Sequence, residues 1–553
     1  MKKDGTDPGE MDRRRFLGLT IAASLVAGSS LRASQSVEDS AAERDEVSRL
    51  RPFELDEASI SDLRRGLDEG RFSAAGLAGM YLARIEEIDG PETVIGLNAI
   101  IEINPDAMAI AAERDRERKS GRLRGALHGI PIVIKDNIDT SDRMRTSAGS
   151  LALAESIAAE DAFIVRRLRE AGAVIIGKTN LSEWANFRST HSSSGWSGRG
   201  GQTRNPYVLN RNPCGSSSGS GAAVAANLAA AAIGSETDGS IVCPATANGL
   251  VGIKPTLGLV SRSGIIPIAH SQDTAGPMAR SVADAAAVLS AITGVDSTDS
   301  LTLNSKNRRE ADYTRFLDKD GLRGARLGVA RKYFGFNQHV DQIMKQSIDV
   351  LKSLGATVID PADMETTGKY DDSEFEVLLY KFKADINLYL GRLSSKITTR
   401  TLKALIRFNE ENREREMPYF GQEIFLMAEE KGPLSTKAYR QALAKNRRLS
   451  AREGIDAVMT KHKLDALIAP TGGPAWPTDL VSGDHYTGGY SSASAVSGYP
   501  HITVPAGQAY ELPVGISFFA GAWSEPRLIK FAYAFEQATK ARKPPRFLPQ
   551  VDL

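Results

Sequence analysis

The chain has 553 residues, of which 41% are hydrophobic and 25% are charged, a composition typical of soluble globular proteins. Its 69 Lys and Arg residues balance 68 Asp and Glu residues. The chain therefore has no global field that would favour nucleic acid or an anionic membrane as a partner. It is long enough to bury a large core, and any ligand must be selected locally.

The first 33 residues resemble a twin-arginine export signal. Residues 12–18 read DRRRFLG, and the apolar run over 17–27 that follows is too short to span a bilayer. We expect a signal peptide over 1–33 and a linker over 34–54. We also expect transient engagement of the twin-arginine export machinery and a periplasmic or secreted protein without a stable membrane anchor. The alternative is a basic tail with a chance apolar stretch.

Alternating helix and strand patterns predict an α/β fold. The predicted helices cover residues 60–88, 161–171, 222–232, 280–292, 340–354 and 524–540. The predicted strands cover residues 128–135, 173–176, 326–330, 357–359, 467–469, 502–504 and 514–519. Residues 361–452 are rich in charge and helix formers and predict a helical insertion, which either borders the site or forms a solvated outer layer.

Two patterns argue against other chemistries. GAVIIGKT (172–179) has the spacing of a phosphate-binding loop, but a strand stands where the flexible loop is required, so we reject phosphate binding. The seven histidines show no metal-ligand spacing, and we expect neither a metal nor a cofactor. Cys214 and Cys243 either form a local bridge or are two small buried thiols, and we predict the thiols.

Three separated segments carry residues with catalytic potential. The first, GIPIVIKDN (129–137), ends an apolar strand at Lys135. Burial there would lower the pKa of the amine and make it a general base near neutral pH. An ion pair between Lys135 and Asp136 is an equally good interpretation of this segment alone.

The other two segments are loops rich in Gly and Ser. PCGSSSGSGAAVA (213–225) feeds an Ala-rich helix and supplies amides and hydroxyls for an anion site, or merely helix caps. GSETDGSIVCPA (234–245) places Ser240 after a glycine, on a turn that suits a nucleophile and an oxyanion hole, or is an ordinary polar turn. Taken singly, each loop is better explained without catalysis.

In this order, the three segments resemble the amidase signature family. Lys135 falls in its G-I-P-x-x-x-K-D strand, Ser216 and Ser217 in its Ser/Gly-rich stretch and Ser240 in its G-[ST]-[DE]-x-G-G-S stretch. The resemblance implies a central mixed β-sheet covered by helices on both faces, with a helical insertion. It also implies a catalytic domain over 55–540 and a C-terminal tail over 541–553.

The resemblance further implies a Ser-cisSer-Lys triad. Ser240 would be the nucleophile, Ser216 would relay the proton after a cis bond from Gly215, and Lys135 would be the base. Ser217 would support them. The oxyanion hole would consist of the main-chain N–H groups of four consecutive residues, Thr237, Asp238, Gly239 and Ser240.

Departures from the family pattern point to one branch of it. Cys214, Ser218 and Asp238 stand where the family often has Gly, and Asp238 places a carboxylate beside the expected oxyanion hole. That carboxylate either points away or holds the leaving ammonia. The same wording resembles the bacterial peptide amidase branch, which removes the C-terminal amide from peptides.

The sequence therefore predicts a serine amidase that hydrolyses amides to an acid plus ammonia or amine through an acyl-enzyme. Its expected substrates are peptide C-terminal amides or small acyl amides. A glutaminase subunit that supplies ammonia to a partner is the alternative, which the export signal opposes because that work is cytosolic. A non-catalytic amide-binding relic is opposed by the three triad residues.

Overall fold

The computed structural model describes residues 50–551. Its strands are β1 (Ile100–Ile103), β2 (Pro131–Lys135), β3 (Val174–Thr179), β4 (Trp196–Ser197), β5 (Gly201–Gln202), β6 (Ala231–Glu236), β7 (Val251–Lys254), β8 (Thr274–Ala279), β9 (Arg326–Val329), β10 (Thr357–Ile359), β11 (Ala466–Pro470), β12 (His501–Ala509) and β13 (Leu512–Phe519). Strands β4 and β5 pair with each other, and the others form an 11-stranded sheet in the order β1-β3-β2-β6-β8-β7-β12-β13-β11-β9-β10.

Helices surround this sheet. They are α1 (Ile60–Asp68), α2 (Ala74–Ile88), α3 (Ala107–Lys119), α4 (Phe163–Glu170), α5 (Ser218–Ala225), α6 (Val242–Ala247), α7 (Val282–Ile292), α8 (Gln338–Ser353), α9 (Asp371–Arg392), α10 (Leu402–Glu411), α11 (Arg413–Glu416), α12 (Glu423–Glu429), α13 (Lys437–Arg447), α14 (Asp456–His462), α15 (Ser492–Ser497) and α16 (Glu525–Thr539).

The sheet is mixed and covered on both faces. β2 pairs in parallel with β3 and β6, whereas β6 pairs antiparallel with β8. Every residue of these four strands is buried. Since successive side chains of a strand point to opposite faces, complete burial means that both faces are packed. The predicted α/β architecture with a central mixed sheet is confirmed.

The strand pairing places the chemistry at one edge of the sheet. Parallel neighbours end at the same edge, so Lys135 at the end of β2 lies beside Ser235 and Glu236 at the end of β6. Ser217 precedes α5, and Ser240 lies in the turn between β6 and α6. All three catalytic segments of the sequence therefore converge here.

The continuous helix predicted over 60–88 is wrong. α1 ends at Asp68, Gly70 adopts a left-handed conformation with φ of 72°, and Ser73 starts α2 by accepting a hydrogen bond from the main-chain N–H of Gly76. A glycine that takes positive φ and a serine cap are stop and start signals that override the apolar periodicity.

The helix predicted over 222–232 is also wrong in its second half. α5 ends at Ala225, Asn227 has a φ of 59°, and Ala231–Glu236 forms strand β6. Alanine favours helices intrinsically. Here its small side chain suits a central strand buried between β2 and β8, and tertiary packing decides.

Residues 361–452 contain helices α9 to α13 and pack on the catalytic body. Phe382 of α9 and Phe425 of α12 share an apolar cluster with Trp184 and Phe187. The last described residues also contact the body, since the main-chain N–H of Leu209 donates to the carbonyl of Leu548 at 2.7 Å. This region is therefore a packed layer rather than a solvated one.

The expected signal peptide, residues 1–33, lies outside the described residues, as does most of the linker expected over 34–54. Between residues 50 and 551, no helix is both long enough and apolar enough to cross a membrane.

Candidate active site

Lys135 is buried at the end of β2 and faces two serines. Its Nζ donates to Ser216 Oγ at 2.7 Å, to Ser235 Oγ at 3.0 Å and to the Ser235 carbonyl at 3.2 Å. The alternative ion pair with Asp136 does not form. That carboxylate instead accepts from the main-chain N–H of Ser147 and lies 3.5 Å from Arg199.

Burial sets the charge of Lys135. Loss of water around the ammonium lowers the pKa of Lys135 to about 7, although the nearby carboxylates of Glu236 and Asp273 oppose the shift. Near neutral pH a large fraction of the amine is thus unprotonated, with its lone pair next to Ser216. Such an amine can accept a proton as a general base.

The loop before α5 holds Ser216 and Ser217 against both partners. The Gly215–Ser216 peptide bond is cis, as the family resemblance implied. The main-chain N–H of Ser217 donates to the Ser240 carbonyl at 3.2 Å. Ser217 Oγ donates to the Ser235 carbonyl and accepts from the Ser235 N–H, at 3.1 and 3.2 Å. Ser217 therefore ties the loop of Ser216 to β6 and to the turn of Ser240.

Ser240 lies on a turn with free main-chain donors. Gly239 adopts a φ of 77°, and the Ser240 side chain is 8% exposed. Within residues 50–551, Ser240 Oγ makes no hydrogen bond, so Ser216 and Ser240 are not joined through their hydroxyls. Catalytic hydrogen bonds of free enzymes often tighten only with substrate.

The four main-chain N–H groups expected in the oxyanion hole are available to a ligand. Across the described residues, none of them donates to a protein acceptor. They belong to consecutive residues of the nucleophile turn, Thr237, Asp238, Gly239 and Ser240. Unsatisfied N–H groups of this kind can stabilise an anion that develops on a carbonyl oxygen.

Sequence reasoning missed two carboxylates that hold this turn. Glu236 Oε2 accepts the N–H groups of Ile241 and Val242 at 2.8 and 3.2 Å. Asp273 Oδ1 accepts from Thr237 Oγ1 at 2.6 Å. Both carboxylates lie in the quoted motifs. Acidic residues beside a glycine turn, near a lysine predicted to be buried, were the available signal.

The prediction of two buried thiols is wrong, because Cys214 and Cys243 form a disulfide. The bridge links the loop of Ser216 to helix α6, which follows Ser240. Asn248 reinforces it, since Asn248 Nδ2 donates to the carbonyls of Pro213 at 2.9 Å and Pro244 at 2.7 Å. Spacing in sequence gives no sign that these two loops meet in space.

Asp238 points its carboxylate toward the helical region. Burial raises the pKa of Asp238, while the hydroxyls of Ser491 and Ser492 oppose this shift. Burial and the neighbouring Asp238 raise the pKa of Glu374 in α9. Gln272 Nε2 also donates to Glu374 Oε1 at 2.8 Å. Residues 361–452 therefore contribute directly to the surroundings of the nucleophile turn.

This geometry defines a class of serine hydrolase. A lysine amine of lowered pKa contacts a serine, and a second serine follows a glycine turn with free main-chain donors. Such an arrangement can activate a hydroxyl for attack on a carbonyl without histidine or metal chemistry.

The chain belongs to the amidase family, whose model matches residues 79–529. A protein from Arabidopsis thaliana with the name "Probable amidase" is 43% identical over 502 residues, covering 90% of this chain and 93% of the relative. The catalytic component of the glutamyl-tRNA(Gln) amidotransferase from Thermoanaerobacter pseudethanolicus is 34% identical, covering 89% and 99%. The protein is therefore a serine amidase.

Two solved structures are similar over the whole fold. Native peptide amidase from Stenotrophomonas maltophilia is 52% identical with a TM-score of 0.85, covering 90% of this chain and 100% of that one. An amidase family protein from Bacillus anthracis is 36% identical with a TM-score of 0.80, covering 92% and 94%. The amidotransferase component is thus the more distant relative.

Proposed function

We propose that this amidase removes the C-terminal amide from peptides and also hydrolyses small acyl amides. The observation that carries the proposal is the 52% identity to peptide amidase over the full length of that chain. The residues that depart from the general family pattern, Cys214 and Asp238, support it because they resemble that branch.

The proposed mechanism uses Ser240 as nucleophile. Ser216 accepts the Ser240 proton while Lys135 accepts the proton of Ser216 across their 2.7 Å hydrogen bond. The alkoxide attacks the amide carbon, and the N–H groups of residues 237–240 bind the oxyanion of the tetrahedral intermediate. One such donor contributes about 3–4 kcal/mol in other enzymes.

The intermediate collapses when the proton returns from Lys135 through Ser216 to the amide nitrogen. The carbon–nitrogen bond breaks, ammonia leaves, and an acyl-enzyme remains on Ser240. Water then attacks the ester, with Lys135 and Ser216 again accepting its proton. The acid is released, and the Ser240 hydroxyl is restored.

A substrate panel tests the proposed specificity. We expect ammonia from N-acylated peptide amides and, more slowly, from short aliphatic amides, and none from free glutamine. The internal peptide bonds of the same substrates should stay intact by mass spectrometry. Turnover of glutamine alone would contradict the proposal in favour of the glutaminase alternative.

We further propose that the protein is exported through the twin-arginine pathway. The Cys214–Cys243 disulfide supports export, because structural disulfides persist mainly in oxidising compartments. Replacing both Arg13 and Arg14 with Lys should retain the protein in the cytoplasm, as measured by cell fractionation with a cytoplasmic marker. Periplasmic recovery of that variant equal to wild type would contradict this route.

A further inference from the structure

A second cavity lies between helix α13 and the catalytic body. It has a volume of about 260 Å³, and its walls include residues 256–257, 271–272, 496–499 and 522–523. Neither Lys135 nor Ser240 lines it. The mechanism above therefore assigns this cavity no role.

Two arginines line the cavity without a counter-ion. Arg308 and Arg447 are both exposed, and within residues 50–551 neither lies within 4.0 Å of a carboxylate. The Arg308 guanidinium stacks over the Trp523 ring, 5.2 Å from its centroid. Two such guanidinium groups favour an anion, and their planar donors match a carboxylate or a phosphate.

The deeper wall is polar and partly unsatisfied. Ser271 Oγ is buried and has no hydrogen-bond partner in the described part of the chain. A hydroxyl that aims at an acceptor would satisfy this group, because burying it unpaired costs about 1–3 kcal/mol. An anionic oxygen from the ligand could serve both this hydroxyl and a guanidinium.

The remaining walls are apolar. The side chains of Leu257, Leu301, Leu443 and Val496 line them beside the Trp523 ring. An inorganic anion would leave these surfaces against water. The volume lies just below the usual range of about 300–1,000 Å³ for sites of drug-sized ligands, so the ligand is no larger than an acylated amino acid or a dipeptide.

We propose that this cavity binds a small carboxylate with an apolar side chain, of the class of N-acylated amino acids. This is the class of acid that peptide-amide hydrolysis releases, and in that respect the inference rests on the proposed function. The cavity also adjoins the site, because Gln272 in its wall precedes Asp273, which holds Thr237 of the nucleophile turn at 2.6 Å.

Calorimetric titration of the Ser240→Ala variant with N-acetylleucine tests the proposal without turnover. We expect the Kd to rise at least about tenfold when Arg308→Gln and Arg447→Gln are added, the loss of one charge-assisted contact. The matched control adds Arg64→Gln and Arg392→Gln, which are exposed arginines elsewhere, and should leave the Kd unchanged. An unchanged Kd in the cavity variant would overturn the proposal.

Two further titrations separate the cavity from the active site and from simple anion binding. Saturating N-acetylleucinamide, which carries no charge, should not displace N-acetylleucine, and full displacement would overturn the proposal. Acetate and inorganic phosphate should each bind at least about tenfold more weakly, and equal affinity would also overturn it. Because no step requires amide hydrolysis, failure of the proposed function leaves these outcomes readable.

Tryptophan fluorescence locates the ligand. The protein has four tryptophans, and only Trp523 lines the cavity. N-acetylleucine should therefore change the emission of the Ser240→Ala variant and lose most of that change after Trp523→Phe, while calorimetry still detects binding. An undiminished emission change in the Trp523→Phe variant would place the ligand elsewhere.

Discussion

Lys135 should give the enzyme a defined pH dependence. Only its neutral amine can accept a proton, and burial lowers its pKa to about 7. We therefore expect kcat/KM for an N-acyl peptide amide to rise with pH through about 7 and then to level off. Steady-state kinetics between pH 5.5 and 9 would measure this rise. A flat profile between pH 6 and 8 would argue against Lys135 as the base.

Ser240 should be indispensable for turnover. Replacing it with Ala removes the covalent nucleophile, and we expect at least about a thousandfold loss of kcat. The Ser353→Ala variant is a matched control, because Ser353 is an exposed serine of α8. Ammonia release measures both variants, and circular dichroism checks their folding. Turnover by the Ser240→Ala variant near the wild-type rate would contradict the mechanism.

At the residue scale, the sequence predicted which groups meet but not what holds them. Lys135, Ser216 and Ser240 were recognisable only by their joint order, since each segment alone had an ordinary explanation. The roles of Glu236 and Asp273 could not be predicted, because they depend on which main-chain N–H groups turn toward each carboxylate. Such contacts are properties of the folded loops.

At the scale of elements, local propensity failed where tertiary packing dominated. The alanines of β6 favour a helix in isolation, yet a narrow, fully buried strand between β2 and β8 leaves room only for small side chains. Strands rich in β-branched residues, such as β2, were predictable because propensity and burial agree there. The pairing of Cys214 with Cys243 was likewise hidden, as it joins two loops 29 residues apart.

The disulfide joins two catalytic elements, and its reduction should slow catalysis. We expect at least about a tenfold fall in kcat with a smaller change in KM, because the loop of Ser216 and the turn of Ser240 lose a covalent link. The unfolding free energy should also fall by about 3–4 kcal/mol, the value for a closed loop of this length.

Kinetics before and after treatment with a reductant measures this effect, and reoxidation should restore the rate. The Cys214→Ala/Cys243→Ala double variant is the matched control, because the reductant should leave its lower activity unchanged. Full activity in the quantitatively reduced protein would show that hydrogen bonds such as those of Asn248 suffice to hold the loops.

At the scale of the whole molecule, a buried acidic pair joins the helical region to the catalytic body. Glu416 at the end of α11 accepts from Ser150 Oγ at 3.0 Å and from the Leu151 N–H at 2.6 Å. It lies against Glu183, which accepts from the Gly198 N–H at 2.7 Å. Burial, followed by the negative charge of Glu416, raises the pKa of Glu183 well above its usual value.

This pair should make the protein less stable as the pH rises. Glu183 keeps its proton in the folded state at pH values where the unfolded chain, with a Glu pKa of about 4.3, has lost it. The stabilisation is thus complete below about pH 4.3 and is lost as the pH climbs toward the raised folded pKa, by up to about 1.4 kcal/mol per pH unit. Urea unfolding between pH 5 and 8 measures that slope.

The Glu183→Gln variant isolates the contribution of this one proton. Its amide can donate to Glu416 at every pH, so the unfolding free energy should fall less steeply with pH than in the wild-type protein. The Glu69→Gln variant, altered at an exposed position, should keep the wild-type slope. If Glu183→Gln also keeps that slope, then Glu183 is ionised in the folded protein, and the helical region is held to the body without a shared proton.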